Sequence, residues 1–268
     1  MIDYPALTPL PPFAMSIRRF FFLILSAVLV SSLSVGQTTE AYKALVFKGP
    51  NGRTMPYRLF VPHAIDSTAS LPLVVISHGA AGRGDDNIQQ ITGGNAFVAG
   101  IWITREHQSS FACFVVAPQC PETSFWAHDR SGSPSPYLLL VINLIDRLES
   151  EFHIDKTRLY VIGQSMGGVG TFSLIGAYPK KFAAAVPICG AGNVLHAPRL
   201  AAVPFWIFHG ERDPVEPVKR SREMVAAITK AGGRPKYTEY KGVGHNVWTH
   251  VVQEPDLLPW LFAQRRAP

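Results

Sequence analysis

The sequence is short of several things, and each shortage removes a class of function. Only three cysteines occur in 268 residues, too few for a disulfide-stapled scaffold. No Cys/His set has zinc-ligand spacing and no H-E-x-x-H is present, so neither a metal nor another cofactor is expected. Charged residues make up 16% of the chain, and the net charge of +6 is spread thinly. Basic residues never run beyond two, as in Arg18-Arg19, Lys180-Lys181 and Arg265-Arg266, whereas a phosphate-tracking surface carries a basic stripe or run; nucleic acid is not an expected partner. No internal repeat, low-complexity block or long Gly/Ser/Pro linker divides the chain. What is plentiful is apolar residues, 47% of the total, enough for a large core and too many for a disordered chain.

Composition changes sharply near the start. Met15-Ser-Ile-Arg18-Arg19 precedes the uncharged run Phe20 to Val30, and the small-residue stretch Ser31 to Gly36 follows. A basic segment, an apolar segment and a small-residue exit are the layout of a secretory signal peptide. The apolar part is short beside the roughly 20 residues that a membrane span needs, so no stable span is expected once it is removed. An uncleaved anchor is the alternative. Residues 1 to 14 hold four prolines ahead of the basic segment, which suggests a true start at Met15. The expected organisation is an extension with export signal over 1–36, then one catalytic domain over 37–268, secreted or periplasmic. Export permits disulfides, but Cys113 and Cys120 bracket an extended run, Phe114 to Ala117, that separates them by roughly 23 Å. With Cys189 they read as three buried, unpaired thiols.

Short runs rich in Val, Ile and Phe recur along 37–268: Ala44–Phe47, Tyr57–Val61, Leu73–Ser77, Phe114–Ala117, Leu159–Ile162, Ala184–Ile188, Phe205–Phe208 and Tyr237–Tyr240. Helical patterns alternate with the later ones. Tyr137 to Phe152 places Leu138, Val141, Ile142, Ile145 and Leu148 on one face, and Val215 to Ala231 lies between Pro214 and Gly232-Gly233. Strands alternating with helices predict an α/β domain whose mainly parallel central sheet is covered by helices on both faces. Ligands of such sheets bind beyond the carboxyl ends of the strands, so chemistry is sought after each apolar run.

After Leu159–Ile162 comes Gly163-Gln-Ser165-Met166-Gly167-Gly168 and then a helix-compatible stretch from Val169 to Tyr178. This is G-x-S-x-G in a strand–turn–helix setting, where the glycines make room for a turn that lifts the hydroxyl clear. A serine hydroxyl needs a base, and the base needs a carboxylate to hold it. Asp213 follows the Phe205–Phe208 run in His209-Gly-Glu-Arg-Asp213, and His245 follows the next run in Gly244-His245-Asn-Val-Trp248. Three strand ends thus deliver Ser, Asp and His in that order. Glu211 and Glu216 are competing acids whose simpler role is solvent contact or pairing with Arg212 and Arg220. Two backbone donors for an oxyanion are expected from Met166, next after the serine, and from Ala80 in the glycine-rich loop after Leu73–Ser77, with Ala81 second. His78 reads as a residue that shapes this loop. Asp85-Asp86 reads as a helix cap, an acidic metal site being the weaker idea.

These residues resemble the bacterial α/β-hydrolase carboxylesterases grouped with predicted peptidases and with polyhydroxybutyrate depolymerase-like or dienelactone hydrolase-like esterases. The likeness rests on HGAAGRGDDN (78 to 87), APQCPE (117 to 122) with Trp126, GQSMGG (163 to 168), AAAVPICGAGN (183 to 193), FHGERDPVEPV (208 to 218) and GHNVW (244 to 248), and it spans roughly 45 to 266. It implies the α/β-hydrolase fold with Ser165, Asp213 and His245 as its triad. One departure is Ala81-Gly82 where the family often has Gly-Glu, which bears on which loop N–H completes the oxyanion site. About a dozen residues, Gly190 to Ala202, stand where many lipases insert a lid, so no lid domain is expected. Trp126 and Trp248 are candidates for flanking a substrate, packing being their alternative. The reading is a serine esterase acting through an acyl-enzyme on a small-molecule or polymer-borne ester. A serine peptidase of the same fold and a non-catalytic carbohydrate- or surface-binding relative remain as alternatives, and oligomeric state is not legible.

Overall fold

The computed structural model describes residues 39–50, 52–62, 69–128 and 133–266. The export signal and the start at Met15 lie outside the described residues. Among the described residues no helix is long and apolar enough to cross a membrane.

Eight strands form one sheet: β1 (Lys43–Lys48), β2 (Thr54–Phe60), β3 (Leu71–Ser77), β4 (Phe114–Pro118), β7 (Ile154–Gln164), β8 (Ala184–Ile188), β9 (Trp206–Gly210) and β10 (Lys236–Tyr240), in the order β1-β2-β4-β3-β7-β8-β9-β10. The short β5 (Ala127–His128) and β6 (Ser133–Pro134) pair separately. β1 and β2 run antiparallel at one edge, and every pairing from β4 to β10 is parallel. The reason is legible in the composition: LPLVVIS, FVVAP, AAVPI and WIFHG are buried almost throughout, as strands covered on both faces must be. The edge strand β1 is exposed along most of its length and carries a lysine at each end, a charged edge that resists pairing with other chains.

Helices cover both faces. On one lie α3 (Pro136–Glu151), α4 (Met166–Ala177), α5 (Ala197–Leu200) and α6 (Val218–Lys230), burying Leu138, Val141, Ile145, Phe172, Leu200 and Met224 against the sheet. On the other, α1 (Asn95–Gly100), α7 (Trp248–Val251) and α8 (Leu257–Phe262) bury Val98, Val251 and Leu261; α2 (Arg105–Ser110) precedes β4. α3 starts where Ser135 accepts the N–H of Leu138 and Pro136 takes the first turn, a position where a missing N–H costs nothing. Two helix starts differ from the sequence expectation. α4 begins at Met166 rather than Val169, directly after the serine. α6 begins at Val218 rather than Val215, because the Asp213 carboxylate holds the N–H groups of Val215 and Glu216 in a turn before Pro217.

The carboxyl end of β3 is tied to that of β4 by a buried histidine. His78 accepts the Cys120 N–H at Nε2 (3.0 Å) and its Nδ1 lies 2.7 Å from the Gly79 carbonyl. These partners place the proton on Nδ1. Trp126 Nε1 donates to the His78 carbonyl, and the two rings pack 4.9 Å apart. His78 therefore shapes its loop, as expected. Asp86 caps the following turn through the N–H groups of Ile88 and Gln89. Burial works against its charge, yet these bonds and one from Gln119 hold its pKa at about 2. The three cysteines are free and buried, and burial pushes the Cys113 and Cys120 thiols up to about 12.

Burial lowers the His78 pKa from 6.5 to about 4. Between these values the unfolded chain takes up a proton that the folded one refuses, so the stabilisation is complete above pH 6.5 and is lost as pH falls toward 4. The loss amounts to roughly 3 kcal/mol. Urea unfolding from pH 7 to 4.5 is expected to show this decline, and His78→Gln is expected to flatten it while lowering stability at pH 7. An unchanged slope in the variant contradicts the assignment.

Candidate active site

The tightest backbone feature lies between β7 and α4. Ser165 has φ 54° and ψ −119°, a conformation that costs a residue with a side chain about 1–3 kcal/mol and persists only where neighbours impose it. Here they do. The Ser165 N–H donates to Ile188 of β8 (2.8 Å) and its carbonyl accepts the Val169 N–H (3.1 Å). A Cβ at Gly167 would collide with the Ser77 carbonyl of β3, and one at Gly163 with the Gly167 carbonyl. Both motif glycines are thus required by close approach of backbone to backbone.

The turn presents the Ser165 hydroxyl to a histidine. Ser165 Oγ is 2.8 Å from His245 Nε2, and His245 Nδ1 is 2.7 Å from Asp213 Oδ2. The carboxylate can only accept, so Nδ1 carries the proton and Nε2 is free to accept from the hydroxyl. Asp213 is held in turn: its side chain is fully buried, and Oδ1 accepts the N–H groups of Val215 (2.8 Å) and Glu216 (2.9 Å). The loops bearing Asp213 and His245 are stitched together, with Arg212 N–H donating to the Val243 carbonyl and Gly242 N–H to Glu211 Oε2. Glu211 is therefore a strut and Glu216 pairs with Arg220; neither faces His245. The three residues picked from sequence stand in one hydrogen-bonded line, an arrangement that can move a proton off a hydroxyl.

Met166 opens α4 and Ala80 opens a 3₁₀ turn over Ala80–Gly82. A residue in either position has an N–H with no acceptor within its own helix. Gly79 sits against the Gln164 carbonyl, and its N–H is taken by Asn95 Oδ1 (2.9 Å). The Gly167–Ser77 approach sets the start of α4 against the same loop. Met166 and Ala80 thus lie on backbone segments that approach one another closely.

Trp126 is a correction. Its side chain is fully buried, packed on His78 and on Gly170, where a Cβ would lie 2.6 Å from it. A ring sealed from solvent cannot flank a substrate; it supports the loop beneath. Trp248 is partly exposed and meets the His245 ring edge-on at 5.6 Å. Sequence reasoning missed a cavity of about 340 Å³ that reaches Met166, next after the serine in the chain, and is lined also by Phe125, Val169, Phe172, Leu200 and Arg220, among others. Its signal was the helical spacing of Met166, Val169 and Phe172 from the serine, which puts one α4 face along it. The β8–β9 connection that completes the wall holds only a 3₁₀ turn, Val194–His196, and α5, so no lid domain is inserted there.

Cys189, Asp213 and His245 place donor atoms within 4.8 Å of one another. Their chemistry does not suit a cation. Burial pushes the Cys189 thiol well above its usual range, and Nδ1 is turned on the carboxylate at hydrogen-bond distance, where a bound metal needs the nitrogen lone pair.

Residues 136–255 match the family model described as phospholipase/carboxylesterase. A solved thermostable esterase shares 39% identity with a TM-score of 0.83, over 86% of this chain and 64% of that one. Among curated proteins, the bifunctional acetylxylan esterase/xylanase XynS20E of Neocallimastix patriciarum is 37% identical over 76 residues, 28% of this chain and 11% of that protein. Feruloyl esterase B of Thermothelomyces thermophilus is 25% identical over 71% of this chain and 60% of that protein. The chain spans three fifths or less of the length of these two curated relatives. Parallel sheet, serine turn, family match and the thermostable esterase agree: the chain has the α/β-hydrolase fold and is similar to carboxylesterases built on it.

Proposed function

We propose that the protein is a serine carboxylic ester hydrolase working through an acyl-enzyme. The observation that carries this reading is the Ser165–His245–Asp213 line, with contacts of 2.8 and 2.7 Å, at the head of a helix. His245 Nε2 takes the proton as Ser165 Oγ attacks the ester carbonyl, and Asp213 holds the imidazole in its tautomer and offsets the charge it gains. Negative charge on the former carbonyl oxygen is met by the N–H groups of Met166 and Ala80; losing one such donor typically costs about 3 kcal/mol. His245 returns its proton to the alcohol oxygen, and water then releases the acid by the same steps.

The leaving oxygen must face His245, and the oxyanion must face Met166 N–H. The direction that remains for the acyl group is along α4, where Val169 and Phe172 wall the cavity of about 340 Å³. The relatives named for acetylxylan and feruloyl substrates suggest acetyl or feruloyl esters, and the connection without a lid leaves access for a polymer-borne one. Residues 1–36 fit an export signal, consistent with work on a substrate outside the cell.

Ser165→Ala is expected to reduce turnover of p-nitrophenyl butyrate below about one hundredth of the wild-type rate with unchanged circular dichroism; residual activity above that sinks the assignment. Val169→Trp, which fills the cavity, is expected to keep kcat/KM for p-nitrophenyl acetate within about threefold and to lower that for the hexanoate at least tenfold or so. Equal losses on both esters contradict the acyl placement.

A further inference from the structure

A second histidine touches the same carboxylate. His209, the fourth residue of β9, is fully buried. Its Nε2 lies 3.2 Å from Asp213 Oδ2, the oxygen that also accepts from His245, and 2.8 Å from the Glu216 carbonyl. Its Nδ1 lies 2.7 Å from Ser221 Oγ, which is itself 3.2 Å from the Gly190 carbonyl.

The partners assign the protons. Nε2 faces two oxygens that can only accept, so a lone pair there would be repelled by both, and Nε2 must carry a hydrogen. The Ser221 hydroxyl has one proton for two acceptors, Nδ1 at 2.7 Å and the Gly190 carbonyl at 3.2 Å, and the neutral ring protonated at Nε2 takes that proton at Nδ1, the nearer of the two. We infer that His209 is a positioning residue for the reaction proposed above: its Nε2–H, shared between Glu216 and Asp213, gives Asp213 Oδ2 a second donor opposite His245. With Val215 and Glu216 on Oδ1, the carboxylate accepts from all sides and has no alternative orientation.

The second donor also divides the charge that His245 feels. A carboxylate oxygen bonded to His209 attracts the imidazolium proton less strongly than one serving His245 alone. The charged and titratable groups around the pair are His245, Cys189 at the end of β8, Glu239 opposite His209 in the β9–β10 register, and Glu216, whose side chain is turned to Arg220. Glu239 is held by Arg222 and Tyr237. Apart from His245, none of these groups bonds to Oδ2.

Three measurements test this. In histidine-labelled wild-type enzyme, 15N NMR is expected to show a neutral His209 protonated at Nε2; a neutral ring protonated at Nδ1 overturns the proposal, whatever the activity. His209→Phe removes the donor. It is expected to lower kcat about tenfold with KM within twofold, and to move the acidic limb of kcat/KM up by about half a pH unit. His209→Gln, whose amide can donate to the same oxygens, is expected to return the limb and most of kcat. A folded His209→Phe with the wild-type limb and kcat overturns the inference, as does a loss in both variants that follows their melting temperatures alone. If the wild-type protein hydrolyses no ester, the proposed function fails, and the NMR result still judges the hydrogen-bond assignment.

Discussion

The site depends on a near-contact between backbones: the first turn of α4 lies so close to the end of β3 that the Ser77 carbonyl leaves no room for a side chain at Gly167. That approach drives the chain at Ser165 into positive φ, aims its hydroxyl out of the turn and sets the Met166 N–H beside the β3 loop. The strain is held by ordinary interactions, namely the Ile188 carbonyl on the Ser165 N–H and two buried faces of parallel sheet. Stability and reactivity are linked here, because the sheet that buries most of the apolar side chains is also what keeps one serine in an unfavourable conformation.

Around that fixed point the remaining groups are held by successive layers of hydrogen bonds. Asp213 is placed by the turn that precedes α6, His245 by Asp213 and by the loop stitched to Glu211, and the β3 loop by His78, Cys120 and Trp126. Few of these partners would touch a substrate. In the proposed reaction they confine Ser165, His245 and Asp213 to one geometry, and such confinement lowers a barrier by removing motions that would otherwise have to be frozen.

The fold was legible because parallel strands buried on both faces read as uninterrupted apolar runs, and each of the eight recurs as a strand of the sheet. Ser165, Asp213 and His245 were legible because each follows such a run and carries a group that the chemistry needs. Other features leave little local signal. Trp126 reads the same in sequence whether it lines a site or lies beneath one; only the close fit of Gly170 and His78 against it reveals its burial. The cavity joins Phe125, α4, α5 and Arg220, residues far apart in the chain. His209 stood just past the Phe205–Phe208 run with no role read for it, and its proposed role depends on a turn that brings Asp213, four places on, back toward its ring. The start of α6 was misplaced for the same reason, since a side-chain carboxylate holds the N–H groups that a helix would otherwise have used.

The proposed mechanism stands or falls on whether Ser165 becomes acylated. Treating the full-length protein with a fluorophosphonate and analysing its tryptic peptides tests this most directly, because the peptide spanning 159–180 contains both Ser165 and Ser173. One adduct per chain is expected, placed by fragmentation on Ser165, and none when His245 is replaced by alanine. An adduct on Ser173 or elsewhere, or a folded wild-type protein that takes up no label, contradicts it.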